Sequence, residues 1–170
     1  HGGDLTPTGG FAIQINHPVG VGMMDFANWE PGNIGSPDFW TDDFNAMEVM
    51  NSSAYDEYFP IYVDLVNRGM TITPTGVTDS HDYFSGGGGL NGTWFAMGTD
   101  DPTDYTPDLL RETLTANRVV VSRGLFLEMS VDPGATVMGP TDLEVTAIGA
   151  SWAQPNRLRL YENGIEVEVI

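Results

Sequence analysis

Two short β-prone runs in this chain end on residues that can ligate a metal, and this constrains the fold more than any other feature. Residues 70–78 read as a strand running into Asp79-Ser80-His81, and residues 11–16 read as a strand closing on His17. Residues i and i+2 of a strand share a face, so Asp79 and His81 are expected to project together as a carboxylate–imidazole pair. Pro18 disfavours helical backbone at the residue before it, so His17 is expected to be extended. Histidines at two strand ends point to a site on the carboxyl edge of a parallel sheet, where α/β enzymes keep their chemistry. The remaining histidine, His1, is terminal and supports no reading.

Between and beyond these runs the chain alternates strand and helix. Residues 44–51 form a third strand candidate, with Glu48 inside it and Asn51 closing it. A carboxylate in a buried strand must be paired, metal-linked or turned to solvent, because burying it alone is costly. Residues 56–67 read as a helix with acidic residues in its first turn, ended by Gly69, with Pro60 near that turn or at a kink. Residues 106–116 are the clearest helix: Thr106 can cap it, Pro107 suits the first position, and Asp108 suits the positive end of the dipole. Residues 93–97 and 118–122 follow as strands.

From about Gly124 the pattern becomes β alone, with strands expected over 126–131, 143–148 and 157–162. Asn163-Gly164 signals a two-residue hairpin. That turn would pair Leu160 with Val167 and Leu158 with Val169, and set Arg159 opposite Glu168. Two units follow, 1–123 and 124–170. The last strand runs to Ile170 with no polar tail, as expected for part of a longer polypeptide.

Charge and composition narrow the functional classes. The 170 residues carry 24 acidic and 6 basic side chains, a formal charge of -18, and the charge is dispersed. Such a surface repels nucleic acid and anionic lipid. A 41% hydrophobic content supports a packed core, and no stretch is long and apolar enough to span a bilayer. The absence of cysteine removes disulfides, thiolate metal sites and cysteine nucleophiles. No lysine exists, so the glycine run 86–89 cannot be a phosphate-binding loop and reads as a loop beside the site. The acidic stretch 100–104 lacks the turn glycine and closing glutamate of a calcium loop. No serine sits in a nucleophile-elbow setting. The sequons at Asn51 and Asn91 are short patterns that arise by chance.

Taken in order, the segments Ile15-Asn-His-Pro18, 44–51, 65–81 and 117–127 resemble the PHP (polymerase and histidinol phosphatase) superfamily, in its carbaryl-hydrolase-like metallohydrolase branch. Trp152 and the Asn163-Gly164 hairpin resemble the β-rich module that often follows. The resemblance implies an α/β fold, a partial (β/α)7 PHP-type barrel followed by antiparallel strands of a sandwich-like module. It implies that His17, Asp79 and His81 ligate divalent metal ions (zinc, manganese or iron), with Glu48 and Asn51 beside the site. The family's His-x-His and Thr-Asp-His motifs are absent, so the resemblance covers the second half of the barrel, and another segment or subunit is expected to complete it.

Two functions are compatible with these features. One is a metal-dependent hydrolase in which activated water attacks a small phosphoester, carboxylic ester or carbamate, with the loops 19–43 and 82–92 shaping the pocket. Trp29, Trp40, Phe84 and Trp94 could line that pocket, although packing is the commoner use of such side chains. The other is a non-catalytic extracellular interaction or assembly module derived from such a hydrolase. Acidity and the lack of cysteine lean towards a secreted or periplasmic setting.

Overall fold

The computed structural model describes residues 11–19, 43–51, 55–82 and 91–170. Most of the long loop 19–43 with Trp29 and Trp40, and the glycine-rich loop with Phe84, lie outside the described residues. At the centre is a parallel three-stranded sheet in the order β1 (Gln14–Ile15), β2 (Ala46–Asn51), β3 (Thr73–Val77). Helix α1 (Tyr55–Asn67) makes the crossover from β2 to β3, the connection that parallel strands require. Strand β2 is central and buried on both faces, which is why its apolar residues do not alternate with polar ones.

Helix α1 buries Tyr58, Ile61 and Leu65, spaced three and four apart on one face. Ile61 and Leu65 pack with Phe44, Met47, Val49 and Ile72 to form the core. Pro60 sits in the helix interior and has no N–H for the carbonyl one turn back. The helix ends as Gly69 turns left-handed (φ 92°). Gly69 N–H donates to Val66 O, and Met70 N–H donates to Leu65 O. This paired bonding closes the last turn and folds Met70 back onto the core.

Strands β4 (Asn91–Phe95) and β5 (Val119–Arg123) form an antiparallel ribbon around α2 (Pro107–Thr115). Thr106 caps α2 as the sequence requires, its Oγ1 accepting from Leu109 N–H at 3.1 Å. Side chains join β4 to β3. Thr93 Oγ1 accepts from Gly76 N–H (2.9 Å) and donates to Gly76 O (3.1 Å), and Asn91 Nδ2 donates to Val77 O (3.0 Å). Glycine is needed at position 76, because a Cβ there would stand 2.6 Å from Val121 Cγ1.

Beyond Gly124 lie two further antiparallel ribbons, β6 (Leu125–Met129) with β7 (Val145–Gly149), and β8 (Arg159–Glu162) with β9 (Ile165–Val169). Asn163 and Gly164 both have positive φ (51° and 81°), the geometry a two-residue hairpin turn needs. The expected register holds only at the turn, where Glu162 faces Ile165 and Tyr161 faces Glu166. A register shift between Leu160 and Tyr161 then moves Leu160 opposite Glu168 and Arg159 opposite Val169. Arg159 accordingly pairs with Glu166, 3.5 Å away, rather than with Glu168. The hairpin tip docks on α1. Asn67 Nδ2 donates to Asn163 O (3.0 Å), Phe59 meets Tyr161 edge-on (5.8 Å), and Gly164 lies against Val63. Among the described residues the parallel strands do not close into a barrel.

Candidate metal centre

The site is built at the carboxyl ends of β1, β2 and β3. His17 follows β1 by two residues, and Asp79 and His81 follow β3. His17 Nε2 lies 3.6 Å from Asp79 Oδ1, and His81 Nε2 lies 3.3 Å from the same oxygen. The three residues singled out in the sequence therefore meet, but not by the expected backbone. Asp79 lies beyond the last β3 residue and is left-handed (φ 55°), so strand parity does not bring it to His81. His17 is also left-handed (φ 48°), not extended. Among the described residues the other non-glycine residues with positive φ are Asn117 and Asn163, and asparagine, aspartate and histidine all enter this region more often than other types. Left-handed backbone costs a non-glycine residue on the order of 1 kcal/mol, and such costs gather at functional sites.

Glu48 and Asn51 come from β2. Residues three apart in a regular strand face opposite ways. Here Glu48 pairs with Thr75 and Met50 with Gly76, leaving Val49 as an extra residue in a β-bulge. The bulge restores parity and brings the two side chains together. Asn51 Nδ2 donates to Glu48 Oε2 (3.1 Å) and contacts His17 Nδ1 (3.1 Å). His17 N–H also donates to Glu48 Oε2 (2.9 Å). Glu48 is thus both buried and paired, at 2% exposure.

Tyr58 was not singled out from the sequence. It is buried on the first turns of α1, and its ionisation is pushed up by burial first, then by the charges of Glu48, Glu57 and Asp79. Its core-facing helical spacing hides that proximity. Asn51 and Asn91, which open the two sequons, are 5% and 7% exposed, and the Nδ2 of each donates inside the fold.

The residue types are ones that can ligate a divalent ion. With ion–donor bonds of about 2.0–2.2 Å, donors at the corners of a tetrahedron stand about 3.3–3.6 Å apart. The two Nε2–Oδ1 distances are 3.6 and 3.3 Å. Two such pairs do not make a site, and among the described residues no group of three or more His, Cys, Asp or Glu side chains is placed so that it could hold a metal ion. The His81 side chain is 83% exposed. No family model, curated protein or solved structure matches this chain.

Proposed function

We propose that this chain is part of a metal-dependent hydrolase of PHP type, holding a divalent ion (zinc, manganese or iron) through His17, Asp79 and His81. The observation that supports it is the meeting of His17 with Asp79 and His81 at the sheet's carboxyl edge, from two strands distant in sequence. An ion held there would supply a more acidic water and polarise a substrate oxygen. Asp79 Oδ1, between the two rings, offers the negative charge that holds a cation. The half-exposed rims of His17 and Asp79, 34% and 36% accessible, leave a small phosphoester, carboxylic ester or carbamate able to reach them.

Elemental analysis of the chain as isolated, and of a His17→Ala/His81→Ala variant, tests this. The expected result is stoichiometric zinc, manganese or iron that disappears in the variant, with metal-dependent hydrolysis of p-nitrophenyl phosphate or acetate. No metal uptake from any of the three salts sinks the reading.

A second reading, an extracellular interaction module, is favoured by one observation. The ribbons β6–β9 and their connections carry large apolar side chains in solvent, including Met138 (95%), Ile165 (69%) and Trp152 (71%). Metal-free chain that self-associates or binds a partner through these residues would favour it over the hydrolase.

A further inference from the structure

The bulge in β9 changes which side chains share a face of the β8–β9 ribbon. Residues paired across two strands point to the same side, as do residues i and i+2 of one strand. Tyr161 pairs with Glu166 and Leu160 with Glu168, so Val167 is the extra residue, and Glu166 and Glu168 point to opposite sides. One face carries Arg159, Tyr161, Glu166 and Val169. Its contacts agree, since Arg159 Nη1 and Tyr161 Oη both reach Glu166 Oε2, at 3.5 and 3.2 Å. Tyr161 turns this face towards Phe59 of α1. The other face is built in three rows. Leu158 stands opposite Ile170, with which it exchanges both backbone hydrogen bonds (2.8 Å each). Leu160 stands opposite Glu168, and Glu162 opposite Ile165. Leu158, Leu160, Ile165 and Ile170 are 44%, 46%, 69% and 73% exposed. A lone carboxylate thus sits in the middle row of an open apolar strip.

We propose that this outward face docks an amphipathic helix of a partner protein, whose apolar stripe carries one arginine or lysine for Glu168. The inference rests on the interaction-module reading and involves no ion. Charge decides the occupant. Leu160 cannot be covered without covering Glu168 directly across from it, and a carboxylate buried without a counter-charge is costly. The chain does not supply that charge. Arg159 lies on the other face with Glu166, whereas Arg68 and Arg111 pair with Asp64, Asp108 and Glu112. Among the described residues Glu168 has no ion pair. A second copy is a poor occupant, since it brings a further formal charge of -18 and a twofold contact would set Glu168 towards Glu168. A basic partner is instead drawn in by the field of the acidic chain. Shape agrees with a helix: two strands about 4.8 Å apart, with their side chains, make a strip about one helix wide, roughly 10 Å. The bulge sets the specificity, because in an unbulged hairpin Glu168 would lie across from Arg159 and leave the apolar face without its central charge.

The test titrates the full chain into three fluorescein-labelled helical peptides of one leucine-faced sequence. They differ only at the centre of the apolar face, which holds arginine, leucine or glutamate. The expected order of affinity is arginine, then leucine, then glutamate, with about tenfold or more between first and last. An acidic chain attracts any cation, so the control moves the charge. Glu168→Arg is expected to remove the advantage of arginine over glutamate. Asp100→Arg, an equal change in net charge at an exposed position elsewhere, is expected to keep it. Leu158→Ser/Leu160→Ser changes two exposed side chains and is expected to abolish binding of all three peptides with an unchanged circular dichroism spectrum. Binding that needs the two leucines but ignores Glu168→Arg overturns the partner's charge and leaves the interaction reading standing. Binding that ignores the leucine variant, or no binding of any peptide, overturns the inference and removes this face from that reading. Dimerisation in sedimentation that disappears in the leucine variant overturns it in favour of a second copy.

Discussion

His17 and Asp79 face each other across the carboxyl edge of the sheet, Nε2 to Oδ1 at 3.6 Å, and both hold left-handed backbone. Each residue sits just past the end of a strand, so the left-handed turn redirects the chain and aims the side chain along the sheet edge. The backbone cost is tolerated because Glu48 anchors one partner directly, by accepting from His17 N–H.

Asp79→Gly separates that backbone cost from the chemistry. Glycine adopts φ 55° without a Cβ penalty. The variant is expected to hold or gain stability, by up to about 1 kcal/mol, while losing metal uptake. Denaturant unfolding beside metal titration reads both. Retained metal binding would remove Asp79 from the site.

Gly76 lets β3 approach the β4–β5 ribbon. Gly76→Ala places a Cβ 2.6 Å from Val121 Cγ1, an overpacking expected to cost about 1–3 kcal/mol. Val121→Ala in the same chain should recover part of that loss. Additive effects of the two changes in urea unfolding would mean that the contact is not the cause.

Docking of the hairpin on α1 predicts energetic coupling between Phe59 and Tyr161, whose rings meet edge-on at 5.8 Å. A double-mutant cycle to alanine is expected to give a coupling of about 0.5–1.5 kcal/mol. Zero coupling would mean that the hairpin does not dock on the helix in solution.

Tyr55, Tyr58 and Tyr62 are expected to ionise above the ordinary tyrosine range, with burial the leading cause for each. A folded-state pKa raised in this way contributes stability that is fully present below about pH 10, the unfolded value, and is lost as pH rises through the folded value. Alkaline titration of phenolate absorbance should show a late-ionising group of tyrosines. Tyr58→Phe should shift alkaline unfolding to higher pH. An unchanged unfolding profile would mean that burial does not raise the ionisation of Tyr58 in the folded chain.

Local chemistry was legible wherever one residue type settles the backbone. Thr106-Pro107 started α2, Gly69 ended α1, and Asn163-Gly164 made the turn, because each acts through its own φ or its own hydrogen bonds. The convergence of His17, Asp79 and His81 was legible because the β-prone runs before them ended at one sheet edge. The route was not. Strand parity was the wrong reason for the Asp79–His81 contact, which depends on a left-handed turn beyond β3. The β8–β9 pairing was readable up to Tyr161 and lost beyond it, since a bulge shifts register without changing composition.

By itself the sequence determined which segments become strands and helices and which side chains can serve as donors, because propensity, capping and donor chemistry are carried by single residues and their neighbours. Only the tertiary structure decided that Glu48 and Asn51 share a face, that both stand behind His17, and that Tyr58 lies near their charge. Those facts depend on one extra residue in β2 and on how α1 packs across the sheet. They are set by pairing register and burial, which arise between segments rather than within them.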